Sequence, residues 1–246
     1  MEPGVSHRTF ADDTKLFADV SVPGNRDALQ RTLANIETWA NRWKLMISTP
    51  KSAVLHVLHD TPSHYALFGD IVPERVGVKD LGVLISSKLD PDAHITDVLM
   101  RSGRVANFIH RAFVSRLPRT YIRAYKALVL PILLYGSPAW RPWLMKHIRA
   151  IENFQKLFLR RTAYKCGIDV NCLVLPSIST LLDEADRSLC LSIIKNPDFS
   201  NFFDSAQTIT RAQRKFKVPL ARKNVVHHSF RWRVSRRSDV KEILPA

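Results

Sequence analysis

The sequence predicts an α+β protein in which a small antiparallel sheet with one helix is followed by a helical region and a basic, partly helical C-terminal region. Two observations carry this. Strand-like runs flank an acidic dipeptide in Arg8-Thr-Phe-Ala-Asp-Asp-Thr-Lys-Leu-Phe-Ala-Asp-Val20. Beyond about Pro91 the apolar residues recur at three and four, the period of a helix with one buried face.

The elements follow in order. Asp12-Asp13 between two strand runs reads as a hairpin whose turn presents acid groups, although Asp-Asp is also a common solvated turn pair. Asn25 to Leu45 reads as a helix, with Trp39 and Trp43 one turn apart, and a strand is expected after it. A strand pair is expected around Leu67 to Ile85. Next, Ile95, Leu99, Val105 or Ala106, Ile109 and Phe113 suggest one buried stripe. Tyr121, Ile122, Tyr125, Leu128, Val129 and Ile132 suggest a second. Pro118 suits the first turn of that second helix, where its missing N–H costs nothing, and Gly136 suits its end. Pro131 should kink its last turns. Ile148, Ile151, Phe154 or Gln155, and Phe158 continue the bundle. Leu181, Leu182, Ala185, Leu189 and Ile193 give a last amphipathic helix before Asn196-Pro197. Trp39, Trp43, Trp140 and Trp143 are expected in or beside cores.

Composition points to a folded chain with an acidic partner. With 246 residues, 46% of them hydrophobic, it is long enough for one large or two smaller cores. A net charge of +15 favours polyanions, bound through counterion release and weakened by salt. From Val98 through Ile151 there is no Asp or Glu, while Arg101, Arg104, Arg111, Arg116, Arg119, Arg123, Lys126, Arg141, Lys146 and Arg149 fall there. Solvated faces usually mix signs, because a one-sign field repels itself. Arg119, Arg123 and Lys126 recur at four and three on one helix face, where they would meet backbone phosphates without reading sequence. A second acid-free run, Ser205 to Ser238, includes Arg211, Arg214, Arg231, Arg233 and Arg236 and reads as a basic, mobile arm.

Other classes find little support. Cys166, Cys172 and Cys190 lack zinc-finger spacing and read as free thiols of a reducing compartment. His227-His228, His56 and His59 read as surface or strand histidines. The polar start Met1 to Phe10 predicts no secretory leader, and Ala127 to Tyr135 is too short to span a bilayer. The expectation is an intracellular protein of nucleus or cytoplasm.

Several segments in order carry a family resemblance. They are Phe10-Ala-Asp-Asp13, then Ser48-Thr-Pro-Lys-Ser-Ala-Val54, then Val78-Lys-Asp-Leu-Gly-Val-Leu-Ile85 with Leu89 and His94 beyond it. Leu134-Tyr-Gly-Ser137 with Trp140 completes the set. Together they resemble the C-terminal palm and thumb portion of the reverse transcriptase of a non-LTR, jockey-like (LINE-type) retrotransposon, from about Arg8 to about Arg161. A looser echo lies in Ser229-Phe230 and Leu244-Pro245. The resemblance implies a partial palm over residues 1–90, a helical thumb over 91–165 and a basic C-terminal region over 166–246.

It also implies an RNA-directed DNA polymerase, a nucleotidyltransferase in which a primer 3′-hydroxyl attacks a deoxynucleotide at a two-metal site. Asp12 would be a direct ligand of Mg²⁺ (or Mn²⁺), with Asp13 supporting it. Lys51 would be a proton donor near the departing pyrophosphate, with a solvated turn lysine as the equal alternative. Leu81 and Gly82 would belong to the strand pair gripping the primer end. Arg101, Arg104, Arg111, Arg119, Arg123 and Lys126 would hold an RNA template and DNA primer. Ser48 and Thr49 stand where the family commonly has an asparagine before the lysine. The family's further catalytic aspartate and fingers lie many tens of residues before the hairpin and have no room in Met1 to His7. Three readings stay open: a polymerase portion whose metal site is completed by residues outside this sequence, a non-catalytic remnant that holds primer–template through a basic thumb, and a decayed relic that does not persist as a stable protein.

Overall fold

The computed structural model describes residues 2–58, 63–199, 202 and 228–235. It is mixed, with small antiparallel sheets and a predominance of helix, and it divides into two compact units. One comprises residues 1–80 and 85–89, the other 81–84 and 90–246. Among the described residues no helix is long and apolar enough to cross a membrane.

In the first unit β1 (Val5–Phe10) and β2 (Asp13–Ala18) form a hairpin, followed by α1 (Asn25–Trp43). β3 (Ala66–Leu67) pairs with β4 (Asp70–Ile71), and β5 (Gly77–Asp80) leads into β6 (Val83–Ser86), whose first two residues are counted in the second unit. Among the described residues the expected single sheet is three separate two-stranded ribbons. The strand expected after α1 is reduced to one bridge, Val54 to Glu74. Side-chain hydrogen bonds hold the ribbon β3–β4 to α1. Gln30 exchanges two bonds with the Ala66 backbone at 3.0 Å, and Glu37 accepts from the Phe68 N–H at 2.7 Å.

α1 buries Ala28, Thr32 and Ala40, and leaves Trp39 and Trp43 more than half exposed. This corrects the expected packing of both tryptophans. The buried positions are the small residues, because they let the helix approach its ribbons closely.

The second unit is helical. α2 (Asp92–Ala112) packs against α4 (Leu130–Leu134) and α6 (Met145–Cys166). α3 (Pro118–Ala124) runs into α4 through a π turn over Tyr125–Val129, where the Leu130 N–H donates to the Tyr125 carbonyl. α5 (Ser137–Trp140) and α6 both pack on α7 (Ile178–Lys195), which also meets α8 (Phe230–Ser235).

The π turn is where the irregularity expected at Pro131 resides. Tyr121, Tyr125, Val129 and Leu133 form the buried row, whereas Leu128 is half exposed. A strict four-residue repeat drifts by about 40° per step on a helix of 3.6 residues per turn. The wider π turn takes up part of that drift and keeps the row facing the core. On α7 the buried row is Ile178, Leu182, Asp186 and Cys190, and Leu189 is exposed, so the stripe is rotated from the expected one.

Candidate nucleic-acid interface and acidic turn

The β1–β2 register pairs Phe10 with Asp13, leaving Ala11 and Asp12 as a two-residue turn. Such a short loop must supply positive φ early to match strand twist. Ala11 does so at φ 52°, a left-handed conformation that costs a residue bearing a Cβ about 1–2 kcal/mol. The loop length is the sequence signal for it. Asp12 and Asp13 are both exposed, and no hydrogen bond or ion pair joins either to another described residue. Beneath the turn, Lys15 Nζ lies 2.5 and 2.6 Å from the two carboxylate oxygens of Asp80, tying β2 to the end of β5.

Two adjacent exposed carboxylates are hard oxygen ligands, but Mg²⁺ asks for near-octahedral coordination and a two-ion site for more donors still. Among the described residues no group of three His, Cys, Asp or Glu side chains could hold a metal. The donor set here therefore does not fit a two-metal site by itself. Lys51 is exposed at the end of a 3₁₀ turn over Thr49–Lys51, which the Thr49 hydroxyl anchors to the Leu67 carbonyl at 3.2 Å. No hydrogen bond or ion pair connects Lys51 to the acidic turn. Cys166, Cys172 and Cys190 form no disulfide with one another, and Cys190 is buried.

Leu81 and Gly82 form the turn between β5 and β6, with φ 45° and 88°. Positive φ at both positions is the signature of a type I′ hairpin. The Tyr135 hydroxyl donates to the Leu81 carbonyl at 2.9 Å, and its ring lies so close that a Cβ on Gly82 would meet Cε1 at 3.1 Å. A Cβ on Gly136 would meet Val83 Cγ2 at 3.0 Å. The Leu84 N–H donates to Nδ1 of the buried His94, whose ring packs on Trp140 at 5.0 Å. Trp140 in turn donates to the Tyr135 carbonyl at 2.7 Å. Two motifs far apart in sequence, Leu81-Gly82-Val83 and Tyr135-Gly136-Ser137, thus meet through their glycines.

The basic residues separate into pinned and free. Arg101 is bound by Asp97, four residues before it, at 2.9 Å. Arg141 binds Asp183 and Asp186, Lys146 binds Asp92, and Arg161 donates to Asn107. Asp92 holds its carboxyl below the usual range, mainly through the Lys146 hydrogen bond. Arg104, Arg111, Arg119, Arg123 and Lys126 are exposed, with no hydrogen bond or ion pair to another described residue. Of the C-terminal basic run, Arg211, Arg214, Arg236 and most others lie outside the described residues, as do His59, His227 and Leu244-Pro245. Arg231 and Arg233 belong to α8, and Arg233 is bound to Asp186, so this part of the run is a docked helix and not a mobile arm.

Arg119 and Arg123 line a groove of about 590 Å³ together with Phe113, Leu117, Thr120 and Leu128. Its wall is held from inside. The Tyr121 hydroxyl, fully buried, lies 2.9 Å from the Phe113 carbonyl and 2.8 Å from that of Ser115, sharing one proton between them. Lys165 Nζ donates to the Phe113 carbonyl at 2.6 Å and to that of His110 at 2.5 Å. His110 lies in the last turn of α2, where helix carbonyls have no intrahelical partner, and Phe113 is its C-cap residue. Sequence reasoning missed Lys165 because its charge caps a helix end far along the chain. Nearby His110 bridges the Ala106 carbonyl and Thr162, and burial pushes its pKa down.

No family model matches the chain, and no solved structure matches it. Among curated proteins, it is 26% identical over 174 residues to "RNA-directed DNA polymerase from mobile element jockey" of Drosophila melanogaster, covering 65% of this chain and 18% of that protein. It is 27% identical over 160 residues to "Probable RNA-directed DNA polymerase from transposon X-element" of the same organism, covering 62% and 17%. The jockey protein of Drosophila funebris is 26% identical over 192 residues, covering 73% and 21%. The chain spans about a fifth of the length of these relatives. The resemblance read from the ordered motifs is therefore a similarity to the RNA-directed DNA polymerases of jockey and X-element non-LTR retrotransposons.

Proposed function

We propose that this chain is the primer–template-holding portion of a retrotransposon RNA-directed DNA polymerase, with a partial palm over residues 1–90, a helical thumb over 91–165 and a basic C-terminal region over 166–246. The observation that carries the proposal is the row Arg119, Arg123 and Lys126. These residues are exposed on one continuous helix, bound to no other described side chain, and set in a run without acids. A cation left unpaired by its own fold keeps its full charge for an external anion. Each phosphate neutralised on a duplex contributes about −0.9 to the slope of log affinity against log salt. Arg119→Glu with Arg123→Glu should therefore weaken primer–template binding and flatten that slope by about 2. An unchanged slope would remove these residues from the interface.

In the same reading Asp12 and Asp13 supply carboxylate oxygens to the metal site of a completed polymerase, where Mg²⁺ would stabilise charge during nucleotidyl transfer. Lys51 is the proton-donor candidate, and Leu81 with Gly82 supports the primer end. A second reading, a non-catalytic remnant that only holds nucleic acid, is favoured by the acidic turn offering two carboxylates with no third ligand among the described residues. Deoxynucleotide incorporation with Mg²⁺ separates the two. Incorporation lost in Asp12→Ala with binding intact supports the polymerase reading, and binding without incorporation supports the remnant.

A further inference from the structure

We infer that the groove between Phe113, Leu117 and Leu128 seats the base of an unpaired nucleotide whose flanking phosphates lie on Arg119 and Arg123. The inference rests on the nucleic-acid reading above and names the strand form that this site takes. Phosphate contact alone needs cations on a surface and no apolar floor. Here two unpaired guanidinium groups border a groove of about 590 Å³ whose other walls include Phe113 and two leucines, Leu117 and Leu128, that are 52% and 47% exposed. A duplex stacks its bases inward and presents only sugar and phosphate. An unpaired nucleotide brings a charged phosphate and a flat apolar face together, which is what the groove can cover at once.

The wall is also prepared in advance. Tyr121 and Lys165 both hold the Phe113 carbonyl, and the Leu117 N–H donates to the Ser115 hydroxyl at 3.1 Å. A site held in one shape spends less binding energy on ordering itself. The π turn at Tyr125–Val129 carries Ala127 and Leu128 along the groove, and such turns occur frequently at functional sites. An acidic amphipathic peptide would satisfy the same two arginines. A nucleic acid is favoured because the unpaired cations continue beyond the groove to Arg111 and Arg116, along which a phosphate chain repeats.

The test is fluorescence anisotropy of the full chain with a labelled single strand, the same strand made abasic, and the matching duplex, across a salt series. The single strand should bind about fivefold tighter than its abasic counterpart, the low end for one stacked base, because the exposed apolar floor of the groove is Leu117 and Leu128. Leu128→Ser and, separately, Leu117→Ser should erase that preference while leaving the salt slope unchanged. Both positions are half exposed, so the helical circular dichroism should persist. Equal binding of normal and abasic strands with a normal salt slope overturns the base-seating inference and leaves the phosphate reading intact. No salt-dependent binding to any strand overturns the nucleic-acid reading itself. An acidic amphipathic peptide that binds more tightly than the single strand, and loses affinity in Leu128→Ser, also overturns the inference.

Discussion

Asp186→Asn should destabilise the helical unit by about 3 kcal/mol, at the lower end of the cost of removing one partner from a buried ion pair. Asp186 is 1% exposed on α7, and its carboxylate serves two arginines. Oδ2 accepts from Arg141 Nη1 at 2.8 Å and from Arg233 Nε at 3.0 Å, while Oδ1 accepts from Arg233 Nη2 at 2.9 Å. Arg233 also donates to the carbonyls of Pro138 and His228, and Arg141 to Asp183. Asparagine retains a carbonyl oxygen, and Arg141 retains Asp183, which places the cost at the lower end. Arg233 is left with neutral acceptors only, although its side chain is 17% exposed. For a unit of this size each kcal/mol lowers the melting temperature by about 2–4 °C, so a fall of about 6–12 °C is expected by circular dichroism. Arg233→Met gives the companion measurement. Because both changes break the same contact, the double variant should cost at least about 1 kcal/mol less than the sum of the singles. Strict additivity, or an Asp186→Asn protein within about 0.5 kcal/mol of the parent, would refute the argument that this carboxylate anchors α8.

Other perturbations give further tests. Tyr125 is fully buried, with its hydroxyl on Gln155 Oε1 at 3.1 Å, and burial, aided by the charge of Glu152, raises its pKa above the ordinary 10. The folded chain keeps this proton where the unfolded chain releases it. The associated stability is therefore complete below pH 10 and is lost as pH rises from there toward the folded value. Tyr125→Phe should cost about 1 kcal/mol at neutral pH and remove that alkaline loss, and parallel stability profiles for the two proteins would count against it. Gly82→Ala places a Cβ at φ 88° and 3.1 Å from Tyr135, so a loss of about 1–2 kcal/mol is expected in thermal unfolding. A neutral Gly82→Ala would show that the turn tolerates a side chain and that Tyr135 does not press on it.

The acidic hairpin was legible because it rests on adjacent residues: two strand runs and a loop too short for anything but a tight turn. The helices α2, α3 and α6 were legible for the same reason, with Pro118 marking a start and one apolar period running through each. The unpaired row Arg119, Arg123 and Lys126 could be drawn from spacing alone, since three and four residues return to one face. What could not be drawn was which other cations share that freedom. Arg101 and Arg141 look alike in sequence to Arg119. One is held by Asp97 within its own helix, and the other by Asp186, 45 residues away in the chain. Trp39 and Trp43 look like core residues, yet small alanines occupy the buried face of α1.

By itself the sequence determined the class of the fold, the position of the acidic turn, the acid-free basic run and the ordered motifs that resemble those of mobile-element polymerases. These are properties of neighbours along the chain, governed by backbone period and turn chemistry. Only the tertiary structure decided that the Leu81-Gly82 and Tyr135-Gly136 motifs meet, that Asp186 sits in the core row of α7, and that a π turn brings Leu128 to a groove shared with Arg119. Each of these depends on how closely distant segments can approach, which is set by the volumes of glycine, tyrosine and buried ion pairs at the contact and leaves no periodic trace in sequence.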